Sequence, residues 1–328
     1  MKTSHIVRRL LISLMSVLAL VLGTAGVASQ AQAATSKTWT VYVGSQSTSG
    51  QIEGMAFATP DITINVGDTI HFVVKSMEPH TVSFTDASCP ADGFDFSKLC
   101  MRTRTDQAIS APGEFRSSGI LSTEATDLGP AQTTWDLTFT GVGDYAYVCY
   151  LHGFEFAPGH YAGMAGMVHV NAAGTPYPQT QSEINAAYRD ARGAAIDDGN
   201  TIWGAARDAS TSHHVFVGAA DDTAMVMAFI KSKVTINVGE SVTFDTSRNH
   251  VPVPHTVTIG TEPASVFDVV GTPSNYTGGT LSSGIVFPPG FGAPFPSTYT
   301  VTFNTAGTYT VYCMLHDDMG MVGTIVVR

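Results

Sequence analysis

Ile62-Thr-Ile-Asn-Val-Gly-Asp-Thr-Ile-His-Phe72 returns later in the chain as Val234-Thr-Ile-Asn-Val-Gly-Glu-Ser-Val-Thr-Phe244. In both copies apolar and polar residues alternate on either side of a Val-Gly-acid turn. That is the pattern of two short, half-buried strands joined by a tight turn. Pro79-His-Thr-Val82 matches Pro254-His-Thr-Val257, and Ser117-Ser-Gly-Ile120 matches Ser282-Ser-Gly-Ile285. Thr134-Trp-Asp-Leu-Thr-Phe139 matches Thr298-Tyr-Thr-Val-Thr-Phe303. Cys149-Tyr-Leu-His152 matches Cys313-Met-Leu-His316, and the segment 163–170 matches 320–327. Six blocks in one order are explained by a duplicated domain. Residues 38–43 and 145–149 are β-rich as well. Many short strands with regular turns predict an all-β chain of sandwiches or barrels.

The rest of the sequence sets the boundaries. Lys2, Arg8 and Arg9 precede an apolar run that Ser13, Ser16, Gly23 and Gly26 interrupt, and Ala31-Gln-Ala33 carries small residues where a signal peptidase reads. This predicts a signal peptide over 1–33 and a periplasmic or secreted protein, with no membrane span after cleavage. The first domain is expected over 34–172, a connector over 173–211 and the second domain over 212–328. In the connector, Ser182 is the expected cap of a short helix with Ile184, Ala187, Tyr188, Ala191 and Ala195 on its apolar face. Asp197-Asp-Gly199 is expected to end it, and Trp203 to pack on a domain.

The 328 residues are 44% hydrophobic and only 13% charged, which excludes a solvated disordered chain. Lys plus Arg number 16 against 27 Asp plus Glu, a formal charge of −11. Losing Lys2, Arg8 and Arg9 with the leader takes it to −14. Such a surface argues against nucleic acid, which is bound through Lys and Arg, and favours a partner with a basic face. Export permits disulfides, and Cys89 and Cys100 are close enough in sequence to pair.

Each repeat holds an upstream histidine, then a cysteine, a nearby histidine and a methionine. These are His80, Cys149, His152 and Met164 in the first, and His255, Cys313, His316 and Met321 in the second. Two imidazoles, a thiolate and a weak thioether form the ligand set of a blue-copper electron-transfer site. In Cys-x-x-His-x4-Met, three ligands share one loop after a strand, and the fourth comes from another strand. The first copy is longer: His152 and Met164 are twelve residues apart, against five between His316 and Met321. The extra stretch contains His160, so His152 or His160 is the loop histidine there. His71, His169, His213, His214 and His250 read as surface, packing or loop residues, and Met55, Met225 and Met227 as core.

Segment 312–327, Tyr-Cys-Met-Leu-His-Asp-Asp-Met-Gly-Met-Val-Gly-Thr-Ile-Val-Val, resembles the C-terminal copper loop of the cupredoxins, the family of plastocyanin, pseudoazurin and halocyanin. Pro254-His-Thr-Val257 resembles the strand that supplies the first histidine, and segment 158–164 resembles the azurin form of the loop. The likeness covers nearly all of the chain after the leader except the connector. It implies two Greek-key sandwiches, one type 1 copper in each, and Met321 rather than Met319 as axial ligand. Thr81 and Thr256 stand where some members carry Asn. It further implies one-electron exchange with a redox protein, with the loop histidine as port at a surface apolar patch; here that would be His152 and His316.

Two other readings use the same ligands. One is an exported copper storage or delivery protein. The other is a two-domain copper oxidoreductase resembling nitrite reductase, which requires a histidine directly before the cysteine. Val148 and Tyr312 occupy those places, and the chain has no His-x-His pair of the laccase kind. The expectation is therefore an electron carrier and not an enzyme.

Overall fold

Thr69–Val74 and Thr134–Phe139 alternate half-buried and buried residues along their whole length, and they pair antiparallel. That alternation is what a strand with one face on a core must show. The computed structural model describes residues 35–86, 103–126, 129–157, 160–292 and 294–328. The expected leader and the Cys89–Cys100 pair lie outside these residues.

Each repeat is two facing sheets. In the first, Thr38–Gln46, Ile52–Phe57, Thr69–Val74, Thr134–Phe139 and Ala108–Ile109 face Asp61–Asn65, His160–Asn171, Gly143–Ala157, Ser83–Phe84 and Arg116–Ser117. Phe72, Phe84, Trp135, Leu137 and Tyr147 fill the space between them. In the second, His214–Ala220, Ala224–Ile230, Ser241–Asp245 and Thr298–Thr302 face a six-stranded sheet that contains His255–Ile259, Gly307–Tyr312 and Val322–Val327. Phe229, Phe244 and Phe303 lie in that core. The all-β, two-sandwich architecture expected from the repeats is present.

The two sandwiches share a sheet. Ile52–Phe57 pairs antiparallel with Ala224–Ile230 in the register Gly54↔Ala224, Glu53↔Met225 and Ile52↔Val226. This joins the first layers of both repeats into one nine-stranded sheet. Met55-Ala-Phe57 and Met227-Ala-Phe229 are the same triplet in the two copies, so equivalent strands meet. Counting from those triplets, Glu53 is the counterpart of Met225, its own cross-strand partner. The junction is therefore an internal two-fold contact, the kind in which one patch meets its own equivalent.

Ala224–Ile230 is buried at every residue because both of its faces are covered. Its outer face lies under the helix Gln181–Ala209, where Ile202, Trp203 and Ala206 pack with Ile52, Phe216, Ala224 and Val226. The first half of the helix is tied to the first repeat. The Arg192 Nε–H donates to the Gln46 carbonyl, and the rings of Tyr188 and Tyr42 lie 4.4 Å apart.

The helix differs from expectation at both ends. Its cap is Thr180, not Ser182, because only Thr180 has a glutamate three residues on to complete a reciprocal capping box with Glu183. It also runs through Asp197-Asp-Gly199 to Ala209, 29 residues in all. Gly199 is not a terminator. A Cβ there would lie 2.3 Å from Ile52 Cγ2, so glycine lets the helix sit close on the sheet.

Candidate metal centres

The first histidine of each site ends up on a buried strand or bridge, whereas Cys149 and His152 lie on the strand Gly143–Ala157 and Cys313 and His316 in the turn after Gly307–Tyr312. His80 bridges to Leu121, and His255 opens the strand His255–Ile259. Both rings rest on a glycine backbone. Gly44 and Gly218 have φ of +62° and +74°, and a Cβ would come 2.3 Å from His80 Nε2 and 2.6 Å from His255 Nε2. Only glycine fits both the conformation and the space.

The donor atoms converge in the same way twice. In the first repeat, Cys149 Sγ lies 3.9 Å from His80 Nδ1 and 3.6 Å from His152 Nδ1, and the two Nδ1 atoms are 3.1 Å apart. In the second, Cys313 Sγ lies 3.9 Å from His255 Nδ1 and 3.4 Å from His316 Nδ1, again with 3.1 Å between the nitrogens. The backbone N–H of Thr81 donates to Cys149 Sγ at 3.3 Å, and that of Thr256 to Cys313 Sγ at 3.3 Å. Each threonine hydroxyl also accepts from the amide after the cysteine, Tyr150 at 2.9 Å and Met314 at 2.8 Å. These threonines hold the sulfur in place from both sides.

Burial sets the protonation. It holds His80 and His255 well below the usual imidazole range, with repulsion from His152 and His316 adding to it. His152 is pushed down to about 3 by burial and by repulsion from His316. Burial pushes both thiols up to about 11, against the pull of the backbone hydrogen bonds. His152 also presents Nε2 to Glu78 Oε1 at 3.0 Å, so its Nε2–H donates and the Nδ1 lone pair faces the sulfur. Neutral imidazole lone pairs and a buried sulfur crowded at one point are a soft N/S donor set, which fits copper.

The methionines are close by in the chain path. Met321 is fully buried in the core that contains Cys313. The Cys313 N–H donates to the Met321 carbonyl, and the Met321 N–H to the His316 carbonyl, which closes the loop on itself. Met164 is buried with Cys149 and sits at the register shift between Gly163 and Ala165. The extra residues of the first repeat continue the strand Gly143–Ala157 into a hairpin with His160–Asn171. His160 lies at its exposed tip, paired with Ala157, while His152 joins His80 and Cys149.

Four further histidines take carboxylate partners outside the clusters: His71 with Asp136, His169 with Asp144, His213 with Glu240 and His214 with Asp245. The loop histidines depart from expectation. Their side chains are only 7% and 5% exposed, because each faces the other repeat and not solvent. Two clefts of about 850 and 1090 Å³ open at the junction, and His152 lines both.

Glu78 was missed from sequence. It lies between His152 and His316. The signal was there in the alignment of the copies, since Glu78 stands one residue before the repeated Pro-His-Thr-Val where the second copy has Val253.

The family of copper binding proteins of the plastocyanin/azurin type matches residues 44–171 and 214–328. Plastocyanin of Sambucus nigra is 32% identical over 117 residues, covering 35% of this chain and 98% of the plant protein. Plastocyanin of Scenedesmus fuscus is 36% identical over 110 residues, covering 33% of this chain and 93% of its own. Among solved structures, amicyanin from Paracoccus versutus aligns at 19% identity and TM-score 0.23, over 41% of this chain and 81% of its own.

Proposed function

The chain belongs to the plastocyanin/azurin family of copper-binding proteins, and from that premise we propose an exported electron carrier with one type 1 copper in each repeat. The observation that carries this reading is the recurrence of one His–Cys–His cluster, at nearly the same distances, in both sandwiches. Bound copper supplies a one-electron couple. His80, Cys149, His152 and Met164 are the proposed ligands in domain 34–172, and His255, Cys313, His316 and Met321 in domain 212–328.

The chain's own residues suit repeated electron exchange. Thr81 and Thr256 hold the sulfur by amide and hydroxyl, and the glycine shelves fix the first imidazoles. Such a site is held before metal arrives, so little must move when its charge changes. Cys149 and Cys313 are fully buried, which shields the sulfur from bulk water. Val148 and Tyr312 leave no histidine to reach a second metal beside either cysteine, which favours a carrier over an oxidoreductase.

Export rests on the basic, then apolar, then Ala-Gln-Ala pattern of residues 1–33; among the described residues no helix is long and apolar enough to cross a membrane. The net charge of −11 favours a redox partner with a basic face, in an encounter that salt weakens.

Redox titration of the copper-loaded chain in the presence of a Cu(I) chelator tests this against storage or delivery. The carrier reading expects reversible one-electron cycling at each site with copper retained. Release of copper to the chelator on reduction would contradict it.

A further inference from the structure

One carboxylate serves both clusters. Glu78 Oε1 lies 3.0 Å from His152 Nε2, and Glu78 Oε2 lies 3.6 Å from His316 Nε2. All three side chains are less than a tenth exposed. Oε2 is buried without a hydrogen-bond partner, a costly arrangement unless something offsets it. What Oε2 faces is the outer edge of the second loop histidine.

The ring chemistry gives this placement meaning. The Nδ1 atom of each loop histidine points at its cysteine. With Nδ1 committed to metal, the only place for the ring hydrogen is Nε2. A carboxylate accepts from two such donors at once, while a carboxamide accepts through one oxygen only. The second repeat has Val253 where the first has Glu78, so there is one bridging acid and not two.

Resting on the type 1 copper reading above, we propose that Glu78 is a positioning residue that couples the two copper sites, with His152 and His316 as the facing ends of an internal electron path. In each exchange one electron leaves the reduced site and enters the oxidised one. Both Nε2 protons stay on their rings, and no covalent bond forms or breaks. An acceptor oxygen facing each Nε2–H makes both imidazoles stronger donors, which favours the oxidised state at both ends.

The test reads each site's potential separately. Copper-loaded full chains with Cys149→Ser or Cys313→Ser keep one site each, and Glu78→Gln is added to both. The expected result is a rise in both potentials. At fixed poise the reduced-to-oxidised ratio grows about tenfold at the first-repeat site, the scale of one charge-assisted hydrogen bond, and by less at the second, where the contact is 3.6 Å. A potential at the second-repeat site that Glu78→Gln leaves unmoved would overturn the bridge, because a residue of the first repeat acting only locally cannot reach it. The visible thiolate-to-copper bands of the parent chains report on the type 1 reading by itself. A second measurement needs no substitution at Glu78. After flash reduction by one electron per chain, equilibration between the sites is expected to be independent of protein concentration. A rate proportional to concentration would mean exchange between molecules and would overturn the internal path.

Discussion

Glu53 lies directly opposite Met225, the residue that occupies its own position in the other repeat. The pair marks the axis of the junction, and the two copies differ there in charge. Glu53 is fully buried, takes a hydrogen bond of 2.6 Å from the Ser76 hydroxyl and leaves Oε1 without a partner.

Burial raises the Glu53 carboxyl well above its ordinary 4.5, with the nearby Glu78 adding to it and Ser76 opposing. The folded chain therefore holds a proton that the unfolded chain releases. Stability from this group is complete below 4.5 and is lost as pH rises through the folded value. Glu53→Gln is expected to be more stable than wild type at alkaline pH, by on the order of 1 kcal/mol or more, with the difference vanishing near pH 4. Urea melts across that range check it. Parallel pH profiles for the two chains would contradict it.

The buried imidazoles predict the opposite slope for the copper-free chain. An unfolded histidine takes up a proton near 6.5, whereas His152 in the fold is held down to about 3 and His80 and His255 are also depressed. Stability from them is present above 6.5 and is lost as pH falls. The Tm of the copper-free chain should drop between about pH 7 and about pH 4, and His152→Gln should flatten that drop. Calorimetry on chelator-treated protein decides the matter.

Two of the three helix glycines separate packing from propensity. At Gly193 a Cβ meets nothing within 4 Å, so Gly193→Ala should stabilise by about 0.5–1 kcal/mol. At Gly199 the Cβ meets Ile52 at 2.3 Å, so Gly199→Ala should destabilise by about 1–3 kcal/mol despite the same gain in propensity. Equal effects in chemical denaturation would mean that the helix does not pack tightly on the shared sheet.

In the first repeat, His160 sits at the hairpin tip and His152 in the cluster. His160→Ala is expected to leave copper content and the visible band unchanged, and His152→Ala to abolish the band of that site. The reverse pattern would move the loop ligand to the tip.

Much of this was legible in residues alone. The duplicated blocks reported the strands, because alternation and turn chemistry are local properties. The histidines and cysteines were legible because they recur in both copies. The reach of the helix was not, since Gly199 looks like a stop until Ile52 is seen beneath it. The burial of His152 and His316 was not either. It depends on equivalent strands pairing across a two-fold junction, which a single repeat does not encode. Glu78 was hidden for the same reason, although its contrast with Val253 marked it as a place where the copies differ.

The central claim is one type 1 copper in each repeat. Copper content and the visible spectrum of the loaded chain, measured for wild type beside Cys149→Ser and Cys313→Ser, test it most directly. The account predicts two coppers per chain, with each substitution removing one copper and about half of the thiolate-to-copper absorption, as separate sites require. A single copper, with colour lost only in Cys313→Ser, would contradict it and leave the first repeat without a metal centre.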